Sequence, residues 1–457
     1  MTASVARRGF SAEALDEMIA RRNEPEWMRE QRLAAWRTYQ DIPMPTRQDE
    51  EWRRTDLRRL RLNEVAPYRD GADGAHDGAA PITHETSDSS AGTLLPHAER
   101  NEAYGGFLGL RDGEAVEYRL SDELKAQGVI FTDLRTALRE HGELVRDYFM
   151  TRCVPASDSK FAALHAAFWE NGTFLYVPRG VTVEQPLRTI VQAHLSGAAS
   201  LTHTLIVMDV GSKAVYAEDF TSPDATKQGF TTRIVELILK RGAALHYVGV
   251  QRWGNGVFDY HTERALMDRD TSGTVQTIEL GSQISKGRVE AKLEGDGVNI
   301  KLLGLYIGDG KQHLDRYTLQ DHKGANGVSD LLFKGVLTDE ARSVYSGLIK
   351  VHPGARGTAA YQQNRNLLLS HGARADSIPN LEIAANDIIG CSHGATVGKV
   401  DEEQLFYLMC RGLSRIEATH LIVEGFVDPI IEAAPIAALR DSLHEEVRRR
   451  VSVVKAD

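Results

Sequence analysis

The stretch "VNIKLLGLYIGDG", residues 298–310, sets Val298, Ile300 and Leu302 against Asn299 and Lys301. A period of two gives an extended strand one apolar and one wetter face, and the glycines that follow mark a corner. The same texture recurs on both sides in "FLYV" (174–177), "HTLIVMDV" (203–210), "RIVELIL" (233–239), "VQTIEL" (275–280), "LLFKGVL" (331–337) and "VYSGLIKV" (344–351). Gly-rich punctuators such as "GSK", "GNG" and "GANG" separate these segments, and no helix-length amphipathic run interrupts them after Gly172. The region therefore reads as one continuous all-β domain. Periodicity alone does not separate a sandwich from a solenoid; the varied strand spacing and one-glycine corners lean towards the stacked coils of a β-helix.

Helices are predicted on either side. Leu15, Met18 and Ile19 share one face behind Ser11, a candidate N-cap, and Leu33 and Trp36 continue the pattern past Glu24-Pro25. In "DIPMPTRQDEEWRRTDL" (41–57), Pro43 and Pro45 fix extended backbone before the acidic first turn of a new helix. Arg53, Arg54, Arg58, Arg59 and Arg61 read as a solvated face. Residues 70–92, rich in Gly, Ala, Asp and Ser, read as a flexible linker. A short strand-like stretch follows, and helical spacing returns in "FTDLRTALREHGELVRDYF" (131–149) and "SKFAALHAAFWENG" (159–172).

After Gly398, Asp401 and Gln404 form a capping-box pattern ahead of Leu405, Leu408 and Met409, and Gly412 suits the C-cap. Ser414 and Glu417 repeat the box. Pro435 opens a last helix with the stripe Ile436, Leu439, Leu443, Val447 and Val451, its C-terminal dipole met by Arg448, Arg449 and Arg450. The predicted division is a mainly helical domain over 1–171, a β core over 172–396 and a helical domain over 397–457.

With 457 residues and a net charge of −10, the chain lacks the positive footprint of a nucleic-acid binder. Cys153, Cys391 and Cys410 form no CxxC or other paired spacing, so neither a disulfide framework nor a self-contained metal site is written here. Such cysteine usage fits a reducing compartment. No run of 18 apolar residues occurs, and the N-terminus breaks into charges before a signal-peptide core forms. The expectation is a cytoplasmic protein without membrane contact.

The chemistry centres on "NDIIGCSHGATVGKVDEEQLFY" (386–407). "GCSHG" satisfies G-x-S-x-G with Ser392 as nucleophile, but that elbow needs a strand-turn-helix in an α/β sheet, and the preceding domain has no βαβ alternation. Cys391 and His393, two residues apart, share one face of an extended segment. A thiolate and an imidazole suit zinc or iron, yet two ligands close no site. The competing reading is a buried cysteine beside a surface histidine in a tight turn. If metal binds, a partner chain must complete the site. No GxxxxGK[ST] or GxGxxG of the required context occurs, so any ATP use falls to another subunit. His203, His246, His261, His313, His322, His352 and His371 show no ligand spacing and read as structural.

Four blocks carry a resemblance: "PTRQDEEWRRTDL" (45–57), "GTFLYVPRGVTVEQPL" (172–187), "QQNRNLLLSHGARADSIPNLEI" (362–383) and "CSHGATVGKVDEEQLFYLMCRGLSRIEATHLIVEGF" (391–426). Together they resemble the SufB/SufD family of the SUF iron–sulfur cluster assembly machinery over almost the whole chain, apart from residues 70–92. The resemblance implies a mainly β fold, a right-handed parallel β-helix between N- and C-terminal helical domains. It implies a non-catalytic scaffold that pairs with SufB through the β-helix, binds the ATPase SufC through C-terminal helices, and holds a transient iron–sulfur cluster at the SufB interface. A homodimer of the isolated chain is compatible with it. SufB looks like "EHEA" where this chain has "CSHG", and carries a cysteine where this chain has "QQNRNLLLS", so the resemblance is to the SufD side, with a SufB-type scaffold as the alternative. By position, His393 matches a histidine implicated in cluster formation and Cys391 is its neighbouring thiol; both are candidate iron ligands. Leu405, Phe406, Tyr407, Met409 and Arg411 are the expected SufC contacts, since this helix holds more large apolar side chains than one face can bury. The family is also linked to reduced flavin, for which the sequence holds no motif.

Overall fold

A computed structural model describes residues 9–22, 24–67 and 94–451; the expected linker over 70–92 lies outside them. From Asn171 to Lys399 the chain winds through a parallel β-solenoid of about eight turns, successive strands alternating between a ten-stranded and a nine-stranded sheet. Each strand pairs in register with the strand one coil later: Asn299–Gly308 runs beside Val328–Leu337, with Ile300 opposite Ser329 and Tyr306 opposite Gly335. Those long-range pairings decide for the solenoid over the sandwich.

The lumen is filled by the inward positions of both sheets, among them Ile206, Val235, Val289, Ile300, Leu302, Leu331 and Phe333. Large rings fit because glycines face them. A Cβ on Gly304 would lie 2.3 Å from the Phe333 ring, and one on Gly335 would lie 2.2 Å from Tyr306. Packing at such density tolerates no added methyl group.

Helices cover the outer faces. Ala12–Arg21, Glu26–Asp41 and Lys160–Phe168 pack on the nine-stranded sheet through Leu201, Leu205, Phe230, Ile234 and Tyr260. Arg415–Ile431 and Ala437–Val451 pack on the ten-stranded sheet through Val250, Ile278, Leu305, Ile307 and Leu367. Ser11 and the complete Ser414–Glu417 box cap helices as expected. Asp401 caps through the Glu403 N–H, without a reciprocal bond from Gln404. The last helix starts at Ala437, two residues after Pro435, and buries Leu439, Leu443, Val447 and Val451.

One expected helix is absent. After Pro45 the chain forms only short 3₁₀ turns, Glu50–Trp52, Leu57–Arg59 and Leu62–Glu64. Asp49 turns the backbone locally by accepting the Thr46 N–H at 2.6 Å. Beyond it, Trp52 and Thr55 are drawn down to the solenoid: Trp52 packs on Tyr260, and Thr55 bonds His313 and Asp315. No helix among the described residues is long and apolar enough to cross a membrane.

The two ends of the solenoid differ. Gly106–Arg111 joins the ten-stranded sheet ahead of Gly172, and the antiparallel strands Glu114–Leu120 and Ile130–Asp133 close that end. At the other end, Arg374–Ile383 and Ile388–Lys399 are the last strands of their sheets, each with a single strand neighbour among the described residues.

Candidate functional site

Cys391, Ser392 and His393 lie inside the twelve-residue strand Ile388–Lys399, at the open end of the solenoid. The tight-turn reading of "CSHG" is therefore corrected: the segment is extended, because it pairs with Thr358–Leu368 along its length. Ser392 sits on no strand-turn-helix elbow, so the hydrolase geometry is missing too. A β-bulge precedes the triplet: Thr358 pairs with Ile388 and Ala359 with Gly390, leaving Ile389 as the extra residue, 76% exposed. Bulges of this kind re-aim the side chains beyond them.

Register then fixes the faces. Cys391 follows Ala360, and His393 follows Gln362. In-register residues of a parallel pair point to the same side, and Ala360, Gln362, Asn364 and Asn366 are all buried inward. Cys391 and His393 consequently share the inward face of the last coil, as their spacing predicted, while Ser392 follows the exposed Tyr361 outward.

The two side chains differ in surroundings. Cys391 is half-buried against the cluster of Ile349, Val351, Ala355, Ala360 and Ala385, and burial pushes its thiol above the usual cysteine range. A cation or positive group is needed to hold it as thiolate. His393 is exposed and makes no hydrogen bond or ion pair among the described residues. Beneath it lies a polar floor. Gln362 Nε2 reaches Tyr345 Oη at 2.7 Å, Tyr345 Oη meets Thr318 Oγ1 at 2.8 Å, Asn364 Nδ2 donates to Tyr306 Oη at 3.0 Å, and Ser377 Oγ donates to Asn364 Oδ1 at 2.7 Å. Sequence reading missed this floor, although Gln362, Asn364 and Asn366 alternate with period two. A soft thiol and an imidazole on one face suit iron, but they leave coordination positions open.

A second grouping, Asp259, His261 and Glu279, is buried in the lumen. Arg233 bonds both carboxylates, at 3.2 and 3.1 Å, and Arg316 bonds Glu279 at 3.1 Å. The positive charge these acids need is already present. Cys153 is fully buried, donates its thiol to the Arg264 carbonyl at 3.2 Å, and is a structural cysteine.

The C-terminal helices present a different surface. On Glu402–Cys410, Leu405 is buried in the chain's own packing, while Phe406 is 70% and Tyr407 58% exposed, with Met409 also exposed. Arg411 lies over the Tyr407 ring at 5.1 Å and donates to its hydroxyl at 3.0 Å. Ile416 and Leu421, unforeseen from sequence, are exposed apolar side chains on the next helix.

Residues 190–426 match the family described as the SufBD core domain of the SUF system of FeS cluster assembly, and residues 113–189 match the SufBD protein N-terminal region. The chain is 30% identical over 433 residues to the iron–sulfur cluster assembly protein SufB of Bacillus subtilis, covering 94% of this chain and 91% of the relative. It is 31% identical, with the same coverage, to iron–sulfur cluster assembly SufBD family proteins of Staphylococcus haemolyticus and Staphylococcus saprophyticus.

Proposed function

The chain belongs to the SufBD family of SUF iron–sulfur cluster assembly proteins, and from that membership we propose that it is a scaffold subunit, not an enzyme, that offers half of a cluster-building site. The observation that carries this reading is the pairing of an open solenoid end with two iron-type donors, Cys391 and His393, on the inward face of its last coil. Long unpaired strand edges are templates for another chain, and strand addition with side chains packing at the seam is a general mode of association. A SufB-type partner takes this end, and its own ligands complete the coordination of a nascent cluster, which is cargo. Labile binding suits a scaffold that must release its product.

The SufD assignment rests on the absence of cysteine from Thr358–Leu368, the strand directly below the site. The SufB-type alternative draws on the relative that bears that name. A SufC-type ATPase docks on Phe406, Tyr407 and Met409 with Arg411 at the rim; Leu405 supports that helix from inside. Aromatic and arginine anchors are the residue types that dominate interface energetics.

Anaerobic isolation of the chain from its native host, followed by mass identification of partners and iron assay, tests the proposal. Recovery together with SufB-type and SufC-type subunits is expected. Recovery as an isolated chain with a full complement of iron would overturn it.

A further inference from the structure

Gln362 is a fully enclosed residue, 1% exposed, directly below His393 in the register of the last two coils. Its amide crosses the lumen toward Gly347, where a Cβ would lie 1.6 Å from Gln362 Nε2. That nitrogen is anchored at 2.7 Å from Tyr345 Oη and 3.3 Å from Thr318 Oγ1. In this arrangement the nitrogen donates to the two hydroxyls, and the other end of the group, Oε1, is buried without a hydrogen-bond partner. An unpartnered buried acceptor is costly and calls for an explanation.

Gln362 and His393 line one recess of about 190 Å³, and His393 has no partner of its own among the described residues. A neutral imidazole carries one N–H and one lone pair, and whichever nitrogen donates a hydrogen bond decides which one is left to bind metal. Ligating histidines commonly give their second ring N–H to a carbonyl or carboxylate for this reason. From these observations we infer that Gln362 is the positioning residue of His393: its side-chain oxygen accepts one ring N–H, selects a single tautomer, and leaves the other ring nitrogen facing the open end of the coil. The lumen glycine Gly347 belongs to the device, because only an absent side chain lets the amide cross to Tyr345.

The inference rests on reading His393 as an iron ligand, but the two are tested by different observables. The full chain is labelled with ¹⁵N-histidine and its ring nitrogens are recorded at about pH 8.5, where an unperturbed imidazole is neutral; the His393 signals are identified by their loss in His393→Ala. Two widely separated nitrogen shifts, one protonated and one bare, are expected. In Gln362→Met, which keeps length and removes the acceptor, the two shifts should move toward a common averaged position. Gln362→Glu, which restores an acceptor, should separate them again. Gly347→Ala, which leaves Gln362 in the chain but displaces its amide, should act like Gln362→Met and serves where that variant folds poorly. Averaged shifts in the wild type, or shifts unmoved in both Gln362→Met and Gly347→Ala, overturn the inference. A normal cluster on a His393→Ala complex, with the tautomer still responding to Gln362, would sink the ligand reading and leave the positioning intact.

Discussion

Trp52 lies parallel to Tyr260, their rings 6.1 Å apart and 11° from coplanar, so that a residue of the N-terminal arm is stacked on a strand of the solenoid 208 positions later in the chain. Phe161 closes on the same indole at 5.5 Å, and Lys286 Nζ sits 4.9 Å from its ring. Glu51 pairs with Arg288 at 3.0 Å beside it. Truncation of Trp52 to Ala should cost about 3–5 kcal/mol, as for other large buried aromatics. Urea unfolding measures the loss. A change below about 1 kcal/mol would mean that the arm is held elsewhere.

Buried carboxyls shape the pH dependence of stability, and burial also raises Glu218. Burial pushes Glu263 up to about 8, against a partial downward pull from Arg233 and Thr277, and raises Glu236 and Glu170 to about 7. In the unfolded chain these groups titrate near 4.3. The folded state therefore retains protons that the unfolded state has released. Their contribution is complete below about pH 4 and is lost as pH rises through 7 to 8. Glu290, held down at about 2 by Arg288 and Arg264 despite burial, works in the opposite sense and loses its contribution in acid. The urea midpoint should fall between about pH 6 and pH 9, and Glu263→Gln should flatten that fall. A midpoint that rises across this window in the wild type would contradict the assignment.

How far the fold was legible depends on how each strand hides its polar residues. "VNIKLLGLYI" (298–307) was found by alternation and forms the strand Asn299–Gly308. The neighbouring strand His313–His322 was not, because Asp315, Arg316, Gln320 and His322 are buried in it. Their partners are distant: Lys286 meets Asp315 at 2.9 Å, and Glu279 meets Arg316 at 3.1 Å. An alternation rule that equates polar with exposed cannot see a strand whose charges are paired inside. Arg32 is the helical counterpart, fully buried and bonded to Glu24 at 2.7 Å. At the site, the shared face of Cys391 and His393 followed from spacing alone. The bulge at Ile389 and the polar floor under His393 did not, since both exist only relative to the strand Thr358–Leu368.

The exposed edge gives a test of partner pairing that spares the fold. Ile389 is the outward residue of the bulge, and a lysine there blunts an edge as charged residues do in natural sheets. Ile389→Lys should change stability by no more than about 0.5 kcal/mol while abolishing co-elution with a SufB-type partner in size-exclusion chromatography. Unchanged co-elution would place the seam away from this end.

A charge on the C-terminal helix should separate the two partners. Phe406→Glu changes an exposed apolar side chain, and Tyr407→Glu also removes the ring and hydroxyl that Arg411 contacts on the same helix; the pairing at the solenoid end should persist in both while a SufC-type ATPase no longer co-purifies. Retention of the ATPase by both variants would move its docking site off this helix.

On the proposed function, His393 supplies a ligand to a site finished by another chain. The iron and acid-labile sulfide content of the anaerobically purified complex carrying His393→Ala, with subunit stoichiometry determined on the same sample, tests this role. The exposed side chain contributes little packing, so an intact complex at normal stoichiometry is expected, with its cluster content collapsed. An intact complex with wild-type iron and sulfide would contradict it.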